Sequence, residues 1–427
     1  MLYILADDLT GANDTGVKLR NKGYNTEIYF NNIKKHINKN NNNIAIIDTE
    51  TRELSKIEAG NKTRNVLDNI ELEDKDIIYK KIDSTLRGNI GVEIKELLKK
   101  FEYSFCLFSP AFPENKRIVV GGNLLVDNVP LGLSEYKISN SNIGEATYIK
   151  NILQKQIDCK IENIELKTVL NGQDSLLKRI NYFAKEKAKI IIIDAIRKKD
   201  LKNIIKVGKK IPDKVLYCGS AGLANYLDDL IDFPTDNKVI DYKIFNKNFF
   251  VCGSKRTILN EQINYLLENN KDVKEIKIDL KRIIYYKEQY LSSMKSELIK
   301  QFNINKNIIV RLDPTYNNIK CINHIKKTNN LSNRDLEEKI KEYLGLLTKT
   351  LIGNNNNINI IVTGGDTAFE LCKQLKIDHL KTVKELLPGV PFTIGCSEKF
   401  GKLNFVTKAG GFGGKKVFYN ILKKIDI

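Results

Sequence analysis

The sequence predicts an α/β protein of two domains, each a mostly parallel sheet flanked by helices. Three observations predict it. Short apolar runs of strand length recur along the chain and alternate with longer amphipathic stretches. Many of these runs hold four or so apolar residues without alternation, as strands buried on both faces do. The chain is also 427 residues long, more than one core organises when a domain takes about 150 residues.

Taken in order, the first set of strands falls at 3–6, 27–30, 44–47, 77–82, 105–108, 190–193 and 215–217. A second set falls at 249–251, 275–278, 308–312 and 358–362. Amphipathic helices are read between them, for example at 92–101 and 336–351. The stretch 232–248, with Pro234 and scattered charge, breaks the pattern and reads as an interdomain linker. The division expected is therefore a first domain over 1–232, a linker over 233–248 and a second domain over 249–427. The polar tracts 38–43, 328–333 and 353–357 read as loops.

Composition narrows the function. Hydrophobic residues make up 42% and charged residues 29%, ordinary for a folded globular protein. No apolar run approaches the ~18 residues of a membrane helix, and the strand-like start runs straight into Asp7 and Asp8 rather than a signal peptide. A membrane partner and secretion are set aside, and a cytoplasmic setting is expected. The net charge of +18 invites nucleic acid. However, Lys, Asn and Ile are raised together, as AT-rich codons would raise them, and Lys is spread evenly without interleaved aromatics. A solvated surface is the better reading, with no nucleic-acid partner. Seven Cys show no Cys-x-x-Cys spacing, and the three His stand apart, so a dedicated transition-metal site is not expected.

In open α/β sheets ligands bind beyond the carboxyl ends of strands. After the first strand comes Asp7-Asp8-Leu9-Thr10-Gly11. Two acids there suit a polyol or a hydroxyl proton, although Asp8 or Thr10 equally suits a helix cap. The strand 77–82 ends with Lys81 and Ile82 and leads into Asp83, Ser84, Arg87 and Gly88, which gives cations for a carboxylate and polar groups for hydroxyls. Arg52, after the third strand, can join them. In the second half, Thr363-Gly364-Gly365-Asp366-Thr367 reads as strand, glycine turn and helix, a form that attracts phosphate. The run 409–414, Ala-Gly-Gly-Phe-Gly-Gly, offers a second glycine loop for anionic oxygens. Neither a P-loop nor a G-x-G-x-x-G after a strand occurs.

In this order the segments resemble the four-carbon acid sugar kinase family. The resemblance is carried by ADDLTGAND (6–14), KIDSTLRGN (81–89), SPAFPENKR (109–117), CGSAGLA (218–224), CGS (252–254), VTGGDTA (362–368), PGVP (388–391) and AGGFGG (409–414). It implies an N-terminal substrate domain, a C-terminal nucleotide domain and an active site in the cleft between them. It implies transfer of phosphate from ATP, with Mg2+ accompanying the nucleotide, to a hydroxyl of a small sugar acid. The alternative is a sugar-acid sensor that has lost turnover. Carried over by residue, it implies substrate contacts from Asp7, Arg52, Lys81, Asp83, Ser84 and Arg87. Its ATP contacts fall on Ser254, Gly364, Gly365, Asp366, Thr367 and Gly410. Asp8 is favoured as the general base because it ends the first strand with no basic neighbour in sequence, and Asp83 is its competitor. This chain departs from the family's pattern at Lys408-Ala409-Gly410, where Lys-Ser-Gly is usual, and at Lys116-Arg117, where Gly-Arg is common.

Overall fold

The computed structural model describes residues 1–30, 37, 44–137, 146–235, 240–253, 257–317 and 319–425. The chain divides into two compact units, Met1–Asn237 and Lys238–Ile427.

In the first unit the main strands are β1 Leu2–Ala6, β2 Thr26–Tyr29, β3 Ile44–Asp48, β4 Ile77–Lys81, β5 Phe105–Ser109, β9 Ile161–Ile164, β10 Ile190–Ile193 and β11 Val215–Gly219. They pair in the order β2-β3-β1-β4-β11-β5-β10-β9, parallel throughout. Strands β1, β3, β5 and β10 are buried at every residue, so their unbroken apolar runs were legible as core strands. From β1 the chain winds through β2 and β3 on one side, then crosses to β4 on the other. The winding reverses between β1 and β4, which opens a crevice beyond the carboxyl ends of these strands.

The short strands β6 Arg117–Val120, β7 Asn123–Val126 and β8 Val129–Pro130 form a separate antiparallel sheet. Asp194, which follows β10, accepts the N–H groups of Gly121 (2.5 Å), Gly122 (2.9 Å) and Leu166 (2.9 Å) and so ties this sheet to the main one. These strands and β9 escape the sequence reading because they are half-exposed and carry no four-residue apolar run.

The second unit holds β12 Asn248–Cys252, β13 Val273–Ile278, β14 Asn307–Leu312, β15 Asn359–Thr363, β16 Ile377–Leu387, β17 Val390–Ser397 and β18 Gly401–Lys408. They pair in the order β13-β14-β12-β15-β18-β17-β16. The pairs from β13 to β18 are parallel, while β18-β17-β16 is an antiparallel ribbon. That ribbon is absent from the sequence reading, because β16 is long and half-exposed rather than a short apolar run. Winding reverses here between β12 and β15. The core on one face packs Phe250, Ile361, Phe392 and Val406 against Ile263 of the helix Thr257–Asn269 and Phe418 of the helix Val417–Ile425.

Of the loop expectations, 38–43 lies outside the described residues. The tract 328–333 is the turn between helices Ile319–Thr328 and Asn333–Asn354. At 353–357 the helix continues to Asn354 before the loop begins. A buried row of asparagines crosses the amino ends of the parallel strands. Asn248 Nδ2 donates to Asn307 Oδ1 (2.7 Å), Asn359 Nδ2 to Asn248 Oδ1 (2.8 Å) and Asn404 Nδ2 to Asn359 Oδ1 (2.8 Å). Each amide satisfies its neighbour, which makes burial affordable and fixes strand register.

Candidate active site

In the first unit, the crevice at β1 and β4 gathers the acids and cations singled out in the sequence. Asp7 and Asp8 leave β1. Arg52, in the turn after β3, donates from Nε to Asp7 Oδ2 and from Nη2 to Asp7 Oδ1, both at 2.9 Å, and from Nη1 to Asp8 Oδ2. The other oxygen of Asp8 accepts the Gly11 N–H at 2.8 Å and caps the helix Leu9–Asn21. A Cβ on Gly11 would lie 2.8 Å from Asp8 Oδ1 and 3.0 Å from Lys81 Nζ, so only glycine lets this acid and this cation crowd the helix start.

Consecutive lysines on β4 point to opposite faces of the sheet. Lys80 pairs with Glu93 at 3.0 Å, both side chains 1% exposed, and Glu93 also accepts the Thr51 hydroxyl. Through Thr51 this buried pair steadies the turn that carries Arg52. Lys81 Nζ donates to its neighbour's carbonyl, Ile82 O (2.9 Å), and makes no other hydrogen bond among the described residues. In the loop that follows, Asp83 accepts from the Thr85 hydroxyl (2.6 Å) and from Arg87 Nε (2.5 Å). Arg87, its side chain 45% exposed, bonds only through Nε among the described residues, which leaves both terminal nitrogens for a ligand. Ser84 is half-buried, and its hydroxyl has no partner among the described residues.

The two neighbouring acids are driven apart in acidity. Burial raises Asp7, but Arg52 and Lys80 outweigh it and hold that carboxyl below its ordinary value. Burial also raises Asp8, and with Asp7 adding to it the carboxyl stays above its ordinary value in spite of Arg52. Burial raises Asp83 too, yet Arg52 and Arg87 hold it down. Burial lowers Lys81 against the pull of Asp7, Asp8 and Asp14. Such separation of paired groups is how a site assigns its proton acceptor.

Arg52, expected to help hold a ligand, is engaged at each guanidinium nitrogen by one bond to Asp7 or Asp8. Lys80, Glu93 and Thr51 were missed, although two adjacent lysines on a strand otherwise buried on both faces signal a buried cation. Asp48 was missed as well. It ends β3 beside Ala6, accepts the Glu50 N–H (3.1 Å), and is raised well above its ordinary value by burial together with Glu50 and Asp8.

In the second unit, Gly364 follows β15 with φ +92°, a left-handed turn that favours glycine, and opens the helix Gly365–Gln374. Its N–H donates to Lys408 O at 2.8 Å, which joins the turn to the end of β18. Gly253 follows β12, and a Cβ there would lie 2.3 Å from Thr367 Oγ1. Gly364, Gly365, Asp366 and Thr367 thus sit where the winding reverses, with Asp366 exposed and Thr367 buried. Gly410 lies in the segment just after β18. Ser254 lies outside the described residues.

Comparisons with known proteins agree with this division. A sugar-binding N-terminal domain model matches residues 2–227, and a nucleotide-binding C-terminal domain model matches 249–418. The chain is 27% identical to a D-threonate kinase of Salmonella typhimurium, over 100% of this chain and 98% of that protein. It is 23% identical to a D-erythronate kinase of Heliobacterium modesticaldum, over 96% and 94% respectively. A 3-oxo-tetronate kinase of Pseudomonas savastanoi is 26% identical over 80% of this chain and 77% of its own. In fold, the chain resembles a crystal structure of a Salmonella typhimurium protein described as a tRNA synthase, with a TM-score of 0.79 and 20% identity over 98% of each chain. It also resembles one of a Haemophilus influenzae protein, with a TM-score of 0.73 and 20% identity over 99% of each.

Proposed function

The chain belongs to the four-carbon acid sugar kinase family, and we propose from that premise that it moves the terminal phosphoryl group of ATP onto a hydroxyl of a four-carbon sugar acid. The observation that carries the reading is chemical complementarity between the two crevices. One gathers acids beside cations with unused donors, and the other offers glycine turns at a helix start.

In this reading Lys81 and Arg87 hold the acid's carboxylate, because both keep hydrogen-bond donors without a partner among the described residues. A planar guanidinium supplies two parallel bonds to a carboxylate. Arg52 works one step back and orients Asp7 and Asp8. Asp8 takes the proton of the acceptor hydroxyl, since its raised pKa suits it to accept one. Asp83 and Ser84 orient the remaining hydroxyls. Gly364, Gly365, Asp366, Thr367 and Gly410, with Ser254, meet the nucleotide. Among the described residues no group of three or more His, Cys, Asp or Glu stands ready to hold a metal. Mg2+ would accompany the nucleotide, with phosphate oxygens and water as its main ligands, and would neutralise charge on the phosphates. The remaining work is positioning and charge stabilisation, on which phosphoryl transfer depends.

The test is ADP release from ATP with a panel of the D- and L-threonates, the erythronates and the 3-oxo-tetronates. Acid-dependent release is expected with at least one of them. No release with any of them would remove the kinase reading.

A further inference from the structure

We propose that Lys408 is a positioning residue of the nucleotide site, an internal cation that folds the segment 409–414 so that its amides are presented to phosphate. The inference rests on the reading of the second unit as ATP-binding.

Lys408 ends β18 and is only 2% exposed. Its Nζ donates to Ala409 O (2.8 Å), Gly410 O (3.2 Å) and Phe412 O (2.9 Å), which uses all three ammonium hydrogens. A lysine so occupied acts through its loop rather than by reaching a ligand itself. Among the described residues no peptide bond is cis, so each N–H there points opposite to the carbonyl of its own peptide unit. With three carbonyls drawn in to the ammonium, the N–H groups of Gly410, Gly411 and Gly413 point away from it. None of the three has an acceptor among the described residues. Phe412 N–H closes the turn on Ala409 O (3.0 Å). Gln262 braces the far side through bonds from Nε2 to Phe412 O (3.1 Å) and Gly413 O (2.8 Å). Successive free amides in a turn form an anion-binding concavity. The same lysine's carbonyl receives the Gly364 N–H, so one residue joins both glycine segments.

The electrostatics agree with a site awaiting negative charge. The groups facing Lys408 are the Cys252 thiol from β12 and the Phe418 ring, 5.7 Å from Nζ. Beyond Cys252 stand Arg311 and Glu275, already paired at 2.5 Å. Lys415 and Lys416 close the segment. No carboxylate pairs with Lys408 among the described residues. Burial brings its pKa down to about 8, while Cys252, pushed up by burial to about 12, remains a neutral thiol there. An anion brought against the segment favours the ammonium form. Binding therefore takes up a proton near that pH and weakens as the pH rises through it.

The experiment is calorimetric titration of ADP into the intact protein over roughly pH 7 to 9, in buffers of different ionisation enthalpy. Proton uptake and falling affinity are expected toward alkaline pH. Lys408→Met should bind ADP about ten-fold or more weakly, the scale of one charge-assisted hydrogen bond. It should also lose the pH slope and raise the KM for ATP while leaving that for the acid unchanged. Lys408→Arg, charged at every pH used, should recover affinity without the proton uptake. A folded Lys408→Met with wild-type ADP affinity and slope would overturn the proposal. Should that variant not fold, the wild-type slope decides, and a flat one overturns it. Failure of the wild type to bind ADP at any pH would instead overturn the nucleotide reading on which it rests.

Discussion

Asp7 and Asp8 are adjacent in sequence, yet their pKa values are pushed in opposite directions by what reaches them in space. Asp7 is gripped at both oxygens by Arg52 and stays acidic. Asp8 shares the same guanidinium at one oxygen, caps a helix with the other, and is raised by burial and by Asp7. If Asp8 is the base, it must be ionised to work, so kcat/KM should fall as the pH drops through its raised pKa. Asp8→Asn should lose on the order of a hundred-fold in kcat with ATP affinity kept. Arg52→Gln removes the group that lowers Asp8, so the acid limb of the pH–rate profile should move to higher pH. An unmoved limb would separate Arg52 from the base, and near-normal turnover in Asp8→Asn would transfer the role to Asp83. The importance of these residue types was legible, because acids and cations crowd the ends of strands. Their pairing was not. Asp8 has no basic neighbour in sequence, and its partner lies 44 positions away, brought close only by the pairing of β1 with β3.

Among the elements, most parallel strands were legible from unbroken apolar runs, whereas in the antiparallel ribbon β16 is half-exposed and β17 and β18, though mostly buried, are interrupted by Pro391, Thr393, Gly395, Asn404 and Thr407. The asparagine row shows a different kind of loss. Asn is abundant throughout the chain, which favours a codon-bias reading of its polar tracts. Yet Asn248, Asn307 and Asn359 each begin a strand as Asn-Phe-Phe-Val or Asn-Ile-Ile-Val, and Asn404 precedes Phe405-Val406. That repeated word separates structural asparagines from surface ones. Asn359 is the centre of the row, with further bonds to Phe245 O (2.7 Å) and from Phe245 N–H (3.3 Å). Asn359→Ala should orphan buried donors and acceptors on three neighbours and cost the second unit about 3 kcal/mol. Urea titration with an unchanged slope measures this cost. A loss below about 1 kcal/mol, within the range of an ordinary hydrogen bond, would mean the row is packing rather than a register lock.

At the scale of the whole chain, two compact units each carry their own reversal of winding, and the chemistry at the two reversals differs. That difference predicts how ligands act separately. Amides that lack acceptors exchange rapidly with solvent until a ligand supplies one. ADP alone should therefore slow hydrogen exchange in 362–368 and 408–416, most of all at Gly410, Gly411 and Gly413, and leave 81–89 as it was. A sugar acid that supports turnover should do the reverse, slowing 5–11, 48–52 and 81–89. The sequence carries this division because each cluster of chemistry follows an apolar run, and an apolar run followed by Gly, Asp or Lys marks the ligand-facing end of a buried strand. Charge carries it only coarsely. Residues 1–237 hold 37 Lys and Arg against 33 Asp and Glu, and residues 238–427 hold 33 against 19, so most of the +18 lies in the second unit. Protection by ADP centred on 81–89, or by the acid on 408–416, would exchange the roles of the two units and with them every residue assignment above.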